Sequence, residues 1–246
     1  MREESRYRQI ARTLRREIEG GELPPGARVS SEKELEERFQ ASRNTVRLAL
    51  GMLRNQGLVA SHPGKGHFVQ RVLPITYYAN RPSGGSGSGI EFSAFTAGSK
   101  VSELLIESAT AEIASRLRIP EGERVVVRRT SGYVEDRCTM RRTSYYPMDI
   151  AQGSPIMHPA PLPDGAAAVL AELGHPQVGN VDELQTRMPA PEEAEDLRLP
   201  QGVPVLELYR TGYSESRPIV LEWVVFAGNG TRFQYEIGDL GAYRRD

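Results

Sequence analysis

Apolar side chains recur at helical spacing through Tyr7, Ile10, Ala11, Leu14 and Ile18, which predicts an amphipathic helix over residues 6–20. Gly20-Gly21 ends it, and Leu23-Pro24-Pro25-Gly26 makes a turn. Ser31 with Glu34 is a capping box, so a second helix starts there and buries Leu35 and Phe39. Ser42 caps a third helix with Val46, Ala49, Leu50 and Leu53 facing inward, and Gln56-Gly57 stops it. The period then changes from helical to alternating. Residues 58–61 and 67–70 read as two short strands around Pro63-Gly64-Lys65-Gly66. Three helices followed by a small hairpin form a winged helix-turn-helix pattern.

A different pattern follows residue 90. Leu117-Arg118-Ile119-Pro120-Glu121-Gly122 recurs as Leu197-Arg198-Leu199-Pro200-Gln201-Gly202. Val125 then matches Val205, Gly132-Tyr133 matches Gly212-Tyr213, and Arg137 matches Arg217, an ungapped offset of roughly 80 residues. Each copy reads as a short helix (110–118, 191–198), a Pro-x-Gly turn and a hairpin (124–134 with 138–147, 204–214 with 218–227). Residues 166–173 add a helix, and 178–188 and 232–238 add strands. The expectation is an internal pseudo-two-fold and a mostly antiparallel sheet with helices on one side. Between the halves, Asn80 to Ile90 is rich in Gly and Ser and reads as a flexible tether. The expected organisation is a DNA-binding domain over 1–71, a linker over 72–90 and a second domain over 91–246.

Composition sharpens this division. The net charge is −1, yet residues 1–71 carry about +5 and the remainder about −6. A basic unit on an acidic remainder suits a phosphate-contacting module joined to one that avoids phosphate. The one cysteine, Cys138, excludes an internal disulfide and any multi-cysteine metal site, and four scattered histidines make no metal or catalytic cluster. The expectation is therefore no catalytic residues, no metal and no cofactor. With no apolar run near 18 residues and no signal-peptide core, a cytoplasmic chain without membrane contact is expected.

The core face of the third helix leaves Arg43, Asn44 and Arg47 outside. Arginine can donate two bonds to the guanine O6/N7 edge, and asparagine pairs with adenine N6/N7. Ser42 and Thr45 lie at the helix N-terminus, where hydroxyl and amide groups meet phosphate. Gly66 lets the backbone approach a sugar-phosphate wall, and Lys65 adds charge there. His67 reads as a solvated strand residue.

These residues resemble the N-terminal domain of the GntR family of bacterial transcriptional regulators. The carrying motifs are GELPPGARVSSEKEL, FQASRNTVRLAL and GKGHFV. The resemblance implies operator contacts by Lys33, Ser42, Arg43, Asn44, Arg47, Lys65 and Gly66, with Thr45 beside them. Lys33 stands where the family often has Arg, which favours a phosphate contact over bidentate base reading. The second half resembles the UTRA effector-binding domain of HutC-type members, which shares its fold with chorismate lyase. That likeness rests on LRIPEG followed by VVVRR, on SYYP, on APEEAEDLRLPQGVPVLELYRTGY and on FQYEI. The fold implied is α+β, a winged helix-turn-helix joined to a mostly antiparallel α/β UTRA domain.

In such domains the ligand lies in a cleft over the sheet, held by strand side chains and by the segment after the linker. The candidates here are Arg129, Arg142 and Arg210, cations in otherwise apolar strands, with Glu222, Tyr145, Tyr235, Phe95 and Thr96. If two of the arginines converge, an anionic effector bearing a carboxylate or phosphate is implied. The expected function is a homodimeric regulator, a repressor by family resemblance, released from an inverted-repeat operator in double-stranded DNA by a small molecule. Two alternatives stand beside it: a constitutive DNA binder whose second half only dimerises, and a chorismate-lyase-like enzyme.

Overall fold

A computed structural model of the chain describes residues 5–62, 64–70, 75–78, 99–134 and 137–235. Two compact units divide the chain, Met1–Pro74 with Met188–Pro204, and Ile75–Arg187 with Val205–Asp246.

In the first unit, α1 (Arg6–Glu19), α2 (Glu32–Phe39) and α3 (Arg43–Asn55) are followed by β1 (Val59–His62) and β2 (Gly66–Val69). The expected inward face is the one buried. Ile10, Leu14, Leu35, Val46, Leu50 and Leu53 are sequestered together, with Phe39 partly covered at the margin. The caps form as the sequence predicts. Ser31 N donates to Glu34 Oε2 at 2.7 Å and Glu34 N donates to Ser31 Oγ at 3.3 Å, closing the capping box. At α3, Thr45 N donates to Ser42 Oγ at 3.3 Å. The two strands pair antiparallel from Val59–Val69 to His62–Gly66, with Gly64 and Gly66 at φ 73° and 100° in the turn.

The second unit is built on a six-stranded antiparallel sheet. Its strands and helices are, in chain order, β3 (Ile75–Tyr78), β4 (Ser99–Ser108), α4 (Ala111–Leu117), β5 (Arg124–Val134), β6 (Arg137–Pro147), α5 (Met148–Ala151), α6 (Gly165–Glu172), β7 (Gly179–Arg187), β8 (Val205–Tyr213), β9 (Pro218–Ala227) and β10 (Thr231–Gln234). A single turn of 3-10 helix, Pro155–Met157, follows α5, and α7 (Pro191–Asp196) lies between β7 and β8 in sequence. The sheet order is β4-β5-β6-β9-β8-β7.

This order reads the same from either end once the duplication is applied. Each copy supplies an outer strand and a hairpin, and β6 pairs with β9 where the copies meet. Backbone detail repeats too. Arg118 and Arg198 are both left-handed (φ 52° and 49°), Gly122 and Gly202 follow at φ 81° and 85°, and both hairpins shift register at a Gly-Tyr step. Two strands lay outside the sequence expectation, β4 and β3. β4 carries Lys100, Glu103 and Glu107 among its apolar residues, which blurs alternation; β3 falls in the 72–90 span and is defined by parallel pairing with β10.

Strand alternation gives the sheet two faces, and helices cover both rather than one. On the first, α4 packs on Val125, Val127 and Leu221. On the second, two apolar clusters form. One joins Val126, Tyr146 and Val220 to Ile150 of α5, Ile156 and Leu170 of α6. The other joins Met140, Leu208, Val224 and Phe226 to Tyr77 and Phe233 of the β3–β10 pair. The sequence predicts the helix over 166–173, but the face it covers is set by tertiary packing, and the four-residue α5 is too short to register as a period.

Candidate nucleic-acid interface and effector site

The N-terminal part of α3 exposes Arg43, Asn44 and Arg47, while Val46, Ala49, Leu50 and Leu53 are buried. Lys33 is exposed on α2 and Lys65 at the turn between β1 and β2, while Gly66 is partly covered. Ser42 and Thr45 are engaged with each other, their hydroxyls 2.8 Å apart, as well as in the cap. Of the predicted DNA-contacting set, Lys33, Ser42, Arg43, Asn44, Arg47 and Lys65 are exposed, and Thr45 and Gly66 are partly covered. Pro63 of the wing turn lies outside the described residues.

Two residues that sequence reasoning passed over join this surface. Glu32, the first residue of α2, receives Arg43 Nε at 2.9 Å and Arg47 Nε at 3.0 Å on one carboxylate. Those hydrogen bonds, from Arg43 first and Arg47 next, hold its pKa below the usual glutamate value. Arg28 forms a backbone bridge with Phe68, and its Nε lies 3.4 Å from where a Cβ on Gly66 would sit, so a guanidinium backs the wing. His67 is not the solvated residue expected. It is part-buried, and desolvation lowers its pKa, with the Glu32 charge opposing.

In the second unit the register sorts the effector candidates by face. Cross-strand pairing runs Arg128–Ser144–Glu222–Arg210–Asp182, one polar row across five strands. Together with Arg142 one step along β6, it lies between the two apolar clusters of the second face. Arg210 is 2% exposed and meets Asp182 through Nε and Nη2, both at 2.6 Å. The Tyr235 hydroxyl donates to Asp182 Oδ2 at 3.1 Å. Burial, then the Asp182 charge, pushes the Tyr235 pKa up to about 12, so this phenol stays protonated as a donor. Arg142 Nη1 stands 3.4 Å from Glu222 Oε1, a looser pair. Arg142, Arg210, Glu222 and Tyr235 are therefore brought together.

Arg129 and Tyr145 are not. Both lie on the first face, one residue out of step with this row, because successive strand residues point to opposite sides. Arg129 is held there by Glu103 and by Glu107, the latter at 3.2 Å, and Tyr145 packs in the cluster beneath α4. The row's third arginine is instead Arg128, which donates to the carbonyls of Ile156 (2.7 Å), His158 (2.5 Å) and Ala160 (2.7 Å). Burial lowers its pKa, and its role is to clamp the loop after α5. Adjacent Arg128-Arg129 look alike in sequence, and only the register separates a loop clamp from a surface ion pair. Phe95 and Thr96 lie outside the described residues. Among the described residues no group of three or more His, Cys, Asp or Glu could hold a metal ion, and no helix is long and apolar enough to cross a membrane.

Comparison with known proteins agrees with this fold. The model of the gntR family of bacterial regulatory proteins matches residues 6–69, and that of the UTRA domain matches residues 94–234. An HTH-type transcriptional regulator of Mycobacterium tuberculosis is 30% identical, across 93% of this chain and 84% of its own. The histidine utilization repressor of Pseudomonas putida is 27% identical, across 93% of this chain and 90% of its own. Among solved structures, a GntR-family transcriptional regulator is similar with a TM-score of 0.68 at 25% identity, covering 96% of this chain and 98% of that one. The family matches account for both halves, and the relatives that are transcriptional regulators extend over nearly the whole chain. The chain thus belongs to the GntR family of bacterial regulatory proteins, a DNA-binding transcriptional regulator with a UTRA domain following its winged helix.

Proposed function

We propose that the chain is a homodimeric, ligand-released repressor that reads an inverted repeat. Residues 1–71 serve as the DNA-binding domain and 91–246 as the effector-binding and dimerisation domain, which β3 joins through its pairing with β10, leaving the rest of 72–90 as linker. Lys33, Ser42, Arg43, Asn44, Thr45, Arg47, Lys65 and Gly66 make the DNA surface. Arg43, Asn44 and Arg47 face base edges in the major groove and the others face the backbone. One winged helix spans a half-site, so two-fold pairing of chains supplies the second half. The observation that carries this reading is the N-terminal part of α3, where Arg43, Asn44 and Arg47 are all exposed while the helix buries Val46, Ala49, Leu50 and Leu53.

The effector is a small molecule with an anionic group that seats over the polar row. Arg142 is its cation. The Arg142–Glu222 pair at 3.4 Å is the looser of the two ion pairs there, so a ligand carboxylate or phosphate competes with Glu222 more readily than with Asp182. Glu222, Arg210 and Tyr235 orient the ligand, with Phe95 and Thr96 as candidates to close over it. Ligand bound to one conformer shifts the population away from the one matching the operator spacing. The regulator acts in the cytoplasm and is not an enzyme.

Footprinting upstream of the chain's own gene tests the first part, with a protected inverted repeat and two chains per duplex expected. Thermal-shift screening of small carboxylates and phosphate esters tests the second. A ligand that raises the wild-type melting temperature but not that of Arg142→Ala, while both bind DNA equally, is the expected result. A ligand that stabilises both proteins alike would remove Arg142 from the site.

A further inference from the structure

One carboxylate holds two of the cations of α3, Arg43 and Arg47. Glu32 accepts Arg43 Nε through Oε2 at 2.9 Å, and Arg47 Nε through Oε1 and Oε2, each at 3.0 Å. Glu32 is 24% exposed at the side chain, while Arg43 and Arg47 are 65% and 58% exposed, so the carboxylate sits behind and the guanidiniums in front. Both contacts use the Nε edge. The terminal Nη pair of each arginine, the fork that matches guanine O6 and N7, is not used in them. The helices are joined by Gln40 in a left-handed turn (φ 48°), which brings residues 32, 43 and 47 to one place although 11 and 15 positions separate them.

We propose that Glu32 is a specificity-determining positioning residue: by anchoring Arg43 and Arg47 through their Nε edges it aims them at base edges and opposes their use as phosphate contacts. Two consequences of the charges follow. An anchored fork loses less freedom on meeting its base, so the correct sequence gains. A negative charge behind the arginines weakens attraction to phosphate, and swinging either arginine onto the backbone breaks a pair, so the wrong sequence loses. Non-specific binding is almost wholly electrostatic, and it is the binding mode that Glu32 suppresses. The inference rests on the DNA surface proposed above.

The test selects duplexes from a randomised pool with the full-length protein. Affinity is then measured for the selected duplex and for a scrambled duplex of the same length and composition, across a salt series. In Glu32→Gln, which keeps shape and removes charge, binding to the scrambled duplex should tighten several-fold. The selected-to-scrambled ratio should fall by about tenfold, and the salt slope should steepen by up to about 2 per protomer as two arginines turn to phosphate. Glu34→Gln, which weakens the neighbouring capping box but touches neither arginine, should leave the ratio as in wild type. In an Arg43→Ala/Arg47→Ala background the Glu32→Gln effect should vanish.

An unchanged ratio and slope in Glu32→Gln, or an effect that persists without the arginines, overturns the proposal. Should Glu32→Gln not fold by circular dichroism, Glu32→Asp replaces it. Its shorter arm keeps the charge but reaches one arginine, so the ratio should fall by a smaller factor; an unchanged ratio again overturns the proposal. If the wild-type protein selects no sequence at all, it is the DNA surface that fails rather than the role of Glu32.

Discussion

Single side chains in this protein are held by partners that alternation and periodicity do not announce. Arg210 is the clearest case, 2% exposed with Asp182 at 2.6 Å on two atoms. Removing it leaves a buried carboxylate uncompensated, so Arg210→Ala should lower stability by about 3–5 kcal/mol. Replacing both partners by apolar residues, Arg210→Met with Asp182→Leu, should cost much less. Urea unfolding of the two variants checks this, and equal losses would argue that the pair's charge is irrelevant. Glu32 provides a pH signature. Its folded pKa lies below the usual value of 4.5, so the unfolded chain binds more protons in that window. Its contribution is therefore present above the ordinary glutamate range and lost as pH falls through the folded value. The melting-temperature difference between wild type and Glu32→Gln should be present at neutral pH and shrink on acidification below 4.5.

At the level of elements, local chemistry is mostly sufficient. The three N-terminal helices begin and end within a residue or two of the expected positions, because caps and apolar spacing are local signals. Ser42→Ala removes the acceptor for Thr45 N and should cost about 1 kcal/mol, measurable by thermal or urea unfolding. The β8–β9 hairpin has a sharper constraint. A Cβ at Gly212 would meet Val220 Cγ1 at 2.8 Å and Gln177 at 3.0 Å, where the register shifts. Gly212→Ala should thus destabilise by about 1–3 kcal/mol through overpacking, while Gly51→Ala, on open helix surface, should not. The strands that sequence does not announce, β3 and β4, owe their form to partners. β3 exists as a strand through four parallel pairs with β10, more than 150 positions away.

For the whole molecule, the charge asymmetry predicts how binding responds to salt. If Lys33, Arg43, Arg47 and Lys65 all met phosphate in both chains of a dimer, the slope of log affinity against log salt would approach about −7. With Arg43 and Arg47 assigned to bases as proposed above, a slope between about −3 and −7 is expected from filter binding over a salt series. A slope near zero would mean that the basic surface is not the one used. The duplication also has a whole-molecule consequence. Arg142 and Glu222 occupy equivalent positions of the two copies, yet they carry opposite charges and pair at 3.4 Å where the copies meet. Symmetry in the backbone thus generates an asymmetric polar centre.

The sequence by itself determined the winged helix-turn-helix, its caps and turns, the outward side of α3 and the internal repeat. These follow from spacings of three, four and two residues and from turn chemistry, all set by near neighbours. It also placed charges in the right strands. What only the tertiary structure decided is which face each charge occupies and whom it meets. Arg129 and Arg128 differ by one position and by the whole thickness of the sheet, because side chains alternate and register is a long-range property. The pairing of β6 with β9, the clamp of Arg128 on three loop carbonyls, the burial of Arg210 against Asp182 and the convergence of two arginines on Glu32 all join residues 11 or more positions apart. Such contacts are selected by packing of the entire core, and no local pattern encodes them.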